Sequence, residues 1–380
     1  MQSRITNRIV TASGMPRLLS LLAGELSGSD LQSLLLSVYQ ERVRSVREPD
    51  TLARWCRNPL TAPSGVDARL LNTFDRAAFS AADGFEAVDL SPVCPLGTTA
   101  VLGGIDQNNV LTAIRNVEVL GDSIPAMGLE CARRRRDRTG RASQPPVRLC
   151  SSQRVIRLQP FDYPGFTPHF RLFGMVSSGR DTGSNAFEVR HFGEHIRFYL
   201  KLFRALNAGG FRLAEPLVEI SDLGISEALL TAAGITREEI RASVRAHVPD
   251  GSARLLEGRS LSLPAEIADP AAELKELARD RRAEPLVARL ALIREQVFEP
   301  VRSEYPEAIC RFNLARLEGM GYYAGLCLRI SPLTPDGKRH HIIDGGLTDW
   351  TARLLQDRKE RFLTSGIGSE FACRRYRAPC

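Results

Sequence analysis

The sequence predicts an α+β domain: one antiparallel sheet flanked by helices, with a helical extension before it and a helical insertion inside it. Three observations carry that prediction. Residues 1–65 hold helical spacing, most clearly from Leu31 to Val43, until the stretch from Asn58 to Gly65 breaks it with two prolines and a glycine. Two strand-like runs, VRLCSSQRVIRLQ and HFRLFGMVSS, are then joined by the proline- and glycine-rich loop QPFDYPGFTP. Residues 221–300 return to helical patterns before strand character resumes at 309–331.

The elements follow in order. Ser29 and Asp30 stand as caps before the helix that runs to Val43. From Val66, ARLLNTFDRAAFSAAD reads as helix and leads into GFEAVDLSP, where Phe85, Val88 and Leu90 predict a strand ending at Pro92. Asn109 to Leu129 contains short strand-like runs, and DRTGRASQPP is loop. Asn185 to Leu206 is an amphipathic helix. The insertion shows cap signals at Ser221, Thr236 and Asp269. HHIIDGGL is a strand with a glycine pair, and FLTSGIGSEFACRRY is strand, tight turn, then helix. There is no internal repeat.

Composition narrows the function classes. The 380 residues are 43% hydrophobic and 25% charged, which suits one large globular domain or two modest ones. No run of eighteen apolar residues occurs, so a membrane span is not expected. The first residues lack an apolar core followed by a small-residue cleavage site, so no signal peptide is expected. The eight cysteines include no C-x-x-C pair, which argues against a zinc site or disulfide framework and for a reducing cytoplasm. Net charge is +7, and only Lys201, Lys275, Lys338 and Lys359 are lysines. The arginine excess reads either as phosphate recognition or as the habit of a GC-rich genome. The run Arg133 to Arg136 reads either as a solvated surface segment or as an anion site.

One loop stands out as a candidate site. Gln159, Asp162, Tyr163 and His169 lie on or beside it, flanked by Arg157, Arg171, Arg180 and Asp181. Polar and aromatic residues on a loop beside a sheet often line a ligand pocket. His169 reads as a hydrogen-bonded histidine or as a catalyst. Tyr322 and Tyr323 read as core packing or as pocket walls. Glu318 reads as a partner of Arg316 or as a receptor for a cationic ligand.

The order of these elements resembles the class II aminoacyl-tRNA synthetase catalytic domain over residues 66–375. The histidyl type and its paralogue, the ATP phosphoribosyltransferase regulatory subunit, are the nearest in pattern. Gly84-Phe85, Val88, Leu90 and Pro92 resemble the first motif, which implies a homodimer. Ile156-Arg157 and the return strand Phe170 to Val176 resemble the second motif, which implies that Arg157 meets an α-phosphate and that ATP with Mg2+ is the cofactor. Glu318-Gly319-Met320-Gly321-Tyr322-Tyr323-Ala324-Gly325 resembles the histidine-specific signature. Gly345-Gly346-Leu347-Thr348-Asp349 resembles the glycine-pair element, and Gly366 to Phe371 the last motif.

The departures are chemical. Leu172 and Val176 stand where the charging enzymes carry the glutamine and glutamate that hold an α-ammonium. Glu318 and Phe371 stand where they carry arginines, and Gln159 where they carry an acid. The chain stops about where an anticodon-binding domain would begin, so tRNA is not an expected partner. The resemblance therefore implies a non-charging regulatory subunit of histidine biosynthesis. It would bind a small molecule through Arg157, Gln159, Asp162, His169, Arg171, Glu318, Tyr322, Tyr323 and Asp349, and pair with an enzyme such as a short ATP phosphoribosyltransferase. The alternative is an adenylate-forming ligase with Arg157 and Glu318 as its catalytic residues.

Overall fold

A computed structural model describes residues 2–136, 144–159, 167–236, 238–240, 242 and 251–377. Its strands in chain order are β1 (Glu86–Ala87), β2 (Val93–Pro95), β3 (Thr112–Ala113), β4 (Val117–Val119), β5 (Val147–Ile156), β6 (His169–Arg180), β7 (Ala214–Asp222), β8 (Ile309–Phe312), β9 (Leu326–Leu333), β10 (Ile343–Thr348) and β11 (Glu360–Ile367). Among the described residues, eight form one sheet in the order β1-β5-β6-β11-β10-β9-β7-β8. Its interior pairs are antiparallel, and only the edge pairs β1–β5 and β7–β8 run parallel. A second, three-stranded sheet, β2-β4-β3, stands apart from it. This is the expected α+β class.

Strand alternation separates the two faces of the large sheet. One face presents Phe173, Met175, Leu328, Ile330 and Ile343 to the helices Ala68–Ala81 and Ala186–Ala208. The second helix buries Phe192, Ile196, Tyr199, Leu200 and Phe203 at three- and four-residue spacing, so one stripe meets the sheet. Phe198 stacks on Phe173 with ring centroids 5.5 Å apart. Each such side chain contributes roughly 1.5–3 kcal/mol on leaving water.

The other face is half covered. Helix Ser123–Arg136 lies over β5 and β6, where the sequence suggested short strands instead. It sits so close that a Cβ on Gly174 would come within 2.9 Å of both Ile124 Cδ1 and Met127 Cε. Its arginine run is solvated only in part: Arg133 is exposed, Arg134 is half-buried and Arg135 is buried. Arg133 pairs with Glu130 at 2.8 Å, Arg134 reaches Glu86 at 2.6 Å, and Arg135 is fully buried against Glu360.

Other expectations shift locally. The strand expected from Phe85 to Pro92 shrinks to Glu86–Ala87, because only that pair finds a partner on β5. Ser27, not Ser29 or Asp30, caps helix Gly28–Arg44 by accepting from the Asp30 amide. Asp222, not Ser221, caps helix Leu223–Ala232, since β7 continues through Ser221. Thr236 forms a capping box with Glu239, and Asp269 caps Pro270–Glu273. The insertion lies between β7 and β8.

Candidate functional site

The open half of the second face carries the chemistry. The register aligns Gly174, Gly366, Asp344, Arg329 and Glu219 across β6, β11, β10, β9 and β7. The next row holds Val176, Thr364, Gly346, Cys327 and Ser221. Glycine at 346 lets the Tyr323 ring lie on the strand, since a Cβ there would meet Tyr323 Cδ1 at 2.6 Å. Gly319, at φ 99°, makes the turn that turns Tyr323 back onto the sheet.

Tyr323, Asp344 and Arg316 meet at the centre. The Tyr323 hydroxyl donates to Asp344 Oδ1 at 3.2 Å, and Arg316 Nη2 donates to the same oxygen. The Arg316 guanidinium lies 5.8 Å from the Tyr323 ring centroid. Its side chain is 1% exposed while that of Asp344 is 57% exposed, so a buried cation backs a solvent-facing carboxylate. Arg316 Nε and Nη1 have no hydrogen-bond partner. Glu318 does not pair with Arg316. Its carboxylate is exposed and lies 3.5 Å from Arg329. The sequence left that choice open, and the turn at Gly319 carries Glu318 outward.

Tyr322 packs edge-on against Tyr323 and Trp350, with centroids 4.9 and 5.4 Å away. Burial pushes both phenols well above the usual tyrosine range, and Asp122 and Asp344 add to this for Tyr322 and Asp344 for Tyr323. Both hydroxyls therefore stay protonated donors at neutral pH.

Arg157 leaves the end of β5 beside this group but is already engaged. Its Nε donates to the Gly121 carbonyl at 2.8 Å, Nη2 lies 3.3 Å from Asp122 Oδ2, and its guanidinium stacks on Phe170. Gln159 follows, half-buried, and Asp162 and Tyr163 lie outside the described residues.

Leu172 and Val176 do share a face, as strand period demands. Leu172 packs with Cys94, Leu120 and Val155, while Val176 is fully buried with Ile124, Met127 and Leu149. An ammonium placed there would lose its water with no acceptor in exchange, at a cost of several kcal/mol. Phe371 does not fill the site: it packs against the helical core and edge-on to His340.

Three expected site residues lie elsewhere. His169 is buried between Arg154 Nη1 at 3.0 Å and the Ala62 carbonyl at 2.7 Å, so it ties the segment before the domain to β6. Arg171 points to the helical face, where it pairs with Asp75 at 2.8 Å. Asp349 lies beyond the end of β10 and pairs with Arg353. Conversely, Asp122 and Asp344 went unmarked in the sequence. Alternation along β10 had the signal, since Asp344 shares a parity with Gly346.

Two features of the site bear on a nucleotide triphosphate. Arg157 is committed to Asp122, and Phe371 supplies no cation. Among the described residues, no group of three or more His, Cys, Asp or Glu is arranged to hold a metal ion.

A mostly antiparallel sheet with a helix-covered back, a hairpin carrying Arg157 and a glycine-rich row under a tyrosine pair defines a class II synthetase-like fold. Solved structures agree. The chain is similar to an ATP phosphoribosyltransferase regulatory subunit/histidyl-tRNA synthetase from Bacillus halodurans, with 17% identity, 82% of each chain covered and a TM-score of 0.61. It is similar to a histidine–tRNA ligase subunit from Alicyclobacillus acidocaldarius, with 16% identity, 83% of this chain and 96% of that one covered, and a TM-score of 0.63. It is also similar to histidyl-tRNA synthetase from Nostoc sp. PCC 7120, with 16% identity, 83% and 74% covered, and a TM-score of 0.60. At these identities the likeness is one of fold. No protein-family model and no curated protein matches the sequence. No described helix is long and apolar enough to cross a membrane.

Proposed function

We propose that this chain is a histidyl-type class II relative that does not charge tRNA. In this reading it binds a small molecule at the Tyr323–Asp344–Arg316 centre and acts as a regulatory subunit of a partner enzyme. The observation that carries it is the burial of Leu172 and Val176 in apolar clusters. Those positions lie on the same face of the sheet as the Tyr323–Asp344–Arg316 centre but are covered by apolar side chains, and they offer an amino acid's ammonium nothing to bind. Glu318 adds an anion at the pocket rim. A carboxylate there opposes any step in which negative charge develops nearby.

The Bacillus halodurans neighbour, an ATP phosphoribosyltransferase regulatory subunit/histidyl-tRNA synthetase, suggests the kind of partner, an ATP phosphoribosyltransferase. The test is pyrophosphate exchange from ATP over a panel of amino acids and other carboxylates, run beside thermal shifts with histidine, ATP and AMP. A ligand at a hundred times its dissociation constant raises stability by about 2.7 kcal/mol. No exchange, together with a shift by a small molecule, is the expected result. Pyrophosphate exchange with any substrate would overturn the reading and favour an adenylate-forming ligase built around Arg157.

A further inference from the structure

Charge along the N-terminal extension is unevenly distributed. Residues 2–24 hold Arg4, Arg8 and Arg17 and no carboxylate. The first carboxylate is Glu25, which pairs with Arg17 at 2.7 Å while Arg17 stays exposed. The helices that follow are balanced. Residues 28–57 hold five arginines against four carboxylates, and Glu41–Arg44 and Arg47–Asp50 pair on the helices themselves. The cations without counter-charge are therefore confined to the first helix and the turn after it.

Helix Gln2–Ser13 sorts its side chains by direction. Ile5 and Ile9 lie one turn apart and are 49% and 51% exposed. Arg4 and Arg8 also lie one turn apart, about 100° round the axis from the isoleucines, and both are exposed. Thr6 and Val10 take the other side and are half-buried, so the helix rests on the chain by that side. Further on, Leu18 and Leu22 are half-buried, while Met15 and Leu19 are 50% and 55% exposed. An apolar strip beside a cationic one, both open to water, is the pattern of a helix that lies in a membrane interface. Its apolar face enters the acyl boundary and its cations meet the anionic headgroups. The guanidinium fork matches phosphate oxygens. A protein partner is served less well, because interface cores draw on Tyr and Trp. Residues 2–24 hold no aromatic side chain, and the exposed Tyr39 and Trp55 lie on the later, balanced helices.

We infer that helix Gln2–Ser13 is a docking surface for an anionic lipid bilayer, lying along it through Ile5 and Ile9 with Arg4 and Arg8 at the headgroups. The contact is peripheral, since no described helix is long and apolar enough to cross a membrane. It is separate from the ligand centre and does not depend on the proposed function.

Co-sedimentation of the full-length protein with vesicles tests it. Vesicles of equal parts phosphatidylcholine and phosphatidylglycerol are expected to bind it roughly tenfold more tightly than phosphatidylcholine alone, since each arginine at an anionic surface contributes several-fold. Ile5→Ser with Ile9→Ser is expected to abolish pelleting. Arg4→Gln with Arg8→Gln is expected to remove the preference for anionic vesicles. All four side chains are exposed, so the melting curve is expected to stay in place. Leu52→Ser, at a position 63% exposed on helix Glu48–Arg57, is expected to bind as the wild type does. Equal pelleting with the two kinds of vesicle overturns the inference, as does wild-type binding by the Ile5→Ser, Ile9→Ser variant. Pelleting with neither also overturns it and leaves the strip to a protein partner.

Discussion

Arg135 and Glu360 form an ion pair in which neither side chain has any exposed surface. Arg135 comes from the last turn of helix Ser123–Arg136 and Glu360 from the first residue of β11. The pair therefore clamps the helix onto the sheet face that carries the site. Removing one partner of a buried pair leaves an uncompensated charge, at a cost of about 3–5 kcal/mol, whereas replacing both with apolar residues is often close to neutral. Arg135→Met is expected to lower the unfolding free energy in urea by that amount. Arg135→Met combined with Glu360→Leu is expected to recover most of it. Equal losses in the single and double variants would show that the clamp depends on packing rather than on charge.

Much of this fold was legible because its signals are local. The β5–β6 hairpin, helix Ala186–Ala208 and the turn at Gly368 follow from alternation, helical spacing and glycine. Helix Ser123–Arg136 was not legible. Its apolar residues Ile124, Met127 and Cys131 have helical spacing and Asp122 caps the start by accepting from the Ile124 amide, but β-prone runs precede them and mask the signal. The site was half legible. The tyrosine pair and Glu318 were found by pattern. The directions of His169 and Arg171 depend on which face of β6 meets the Asp75 helix, and that is set by tertiary packing. Arg316, in the stretch between β8 and β9, likewise shows its role only once Asp344 of β10 comes beside it.

The close approach over β6 gives a second expectation. At Gly174 an added Cβ would lie 2.9 Å from Ile124 Cδ1, Met127 Cε and Ser123 Oγ. The Met127 chain can swing aside, but Ile124 is held by its branch. Overpacking of this kind costs roughly 1–3 kcal/mol. Gly174→Ala is expected to destabilise within that range. Pairing it with Ile124→Val is expected to restore part of the loss. Denaturant midpoints of the three variants decide the matter.

Asp344 gives a third. It is the only hydrogen-bond partner of the buried Arg316 guanidinium among the described residues, and it also accepts from Tyr323. Asp344→Ala strips Arg316 of its acceptor, and a buried donor left unsatisfied costs about 1–3 kcal/mol. Tyr323→Phe removes only a neutral hydroxyl that reaches a half-exposed oxygen. Its expected cost is below about 1 kcal/mol, because such a bond contributes about that much net. If both residues line the proposed pocket, each substitution also reduces the thermal shift given by whichever small molecule binds. A ligand shift unaffected by either one would place the binding site elsewhere.

His195 gives the sharpest pH dependence. It is fully buried in the helical core, with Nδ1 2.7 Å from Ser365 Oγ and Nε2 3.0 Å from Ser177 Oγ. Burial, reinforced by the neighbouring His191, pushes its pKa from 6.5 down to about 3. Between those values the unfolded chain binds a proton that the folded chain excludes, so stability falls as pH drops below 6.5. The slope approaches 1.4 kcal/mol per pH unit for one such proton. Glu194, next in sequence, titrates lower. Burial alone would raise it, but the hydrogen bond and charge of His191, then Arg190 and Arg148, hold it near 2. Its contribution is present above pH 4.5 and is lost only as pH falls from there toward 2. The two residues therefore act in different windows. His195→Gln is expected to flatten the stability curve between pH 6.5 and 4.5, and Glu194→Gln only below 4.5. Urea titrations at half-unit steps separate them. A wild-type curve already flat from pH 6.5 to 4.5 would mean that His195 takes up its proton without unfolding the core around Ser177 and Ser365.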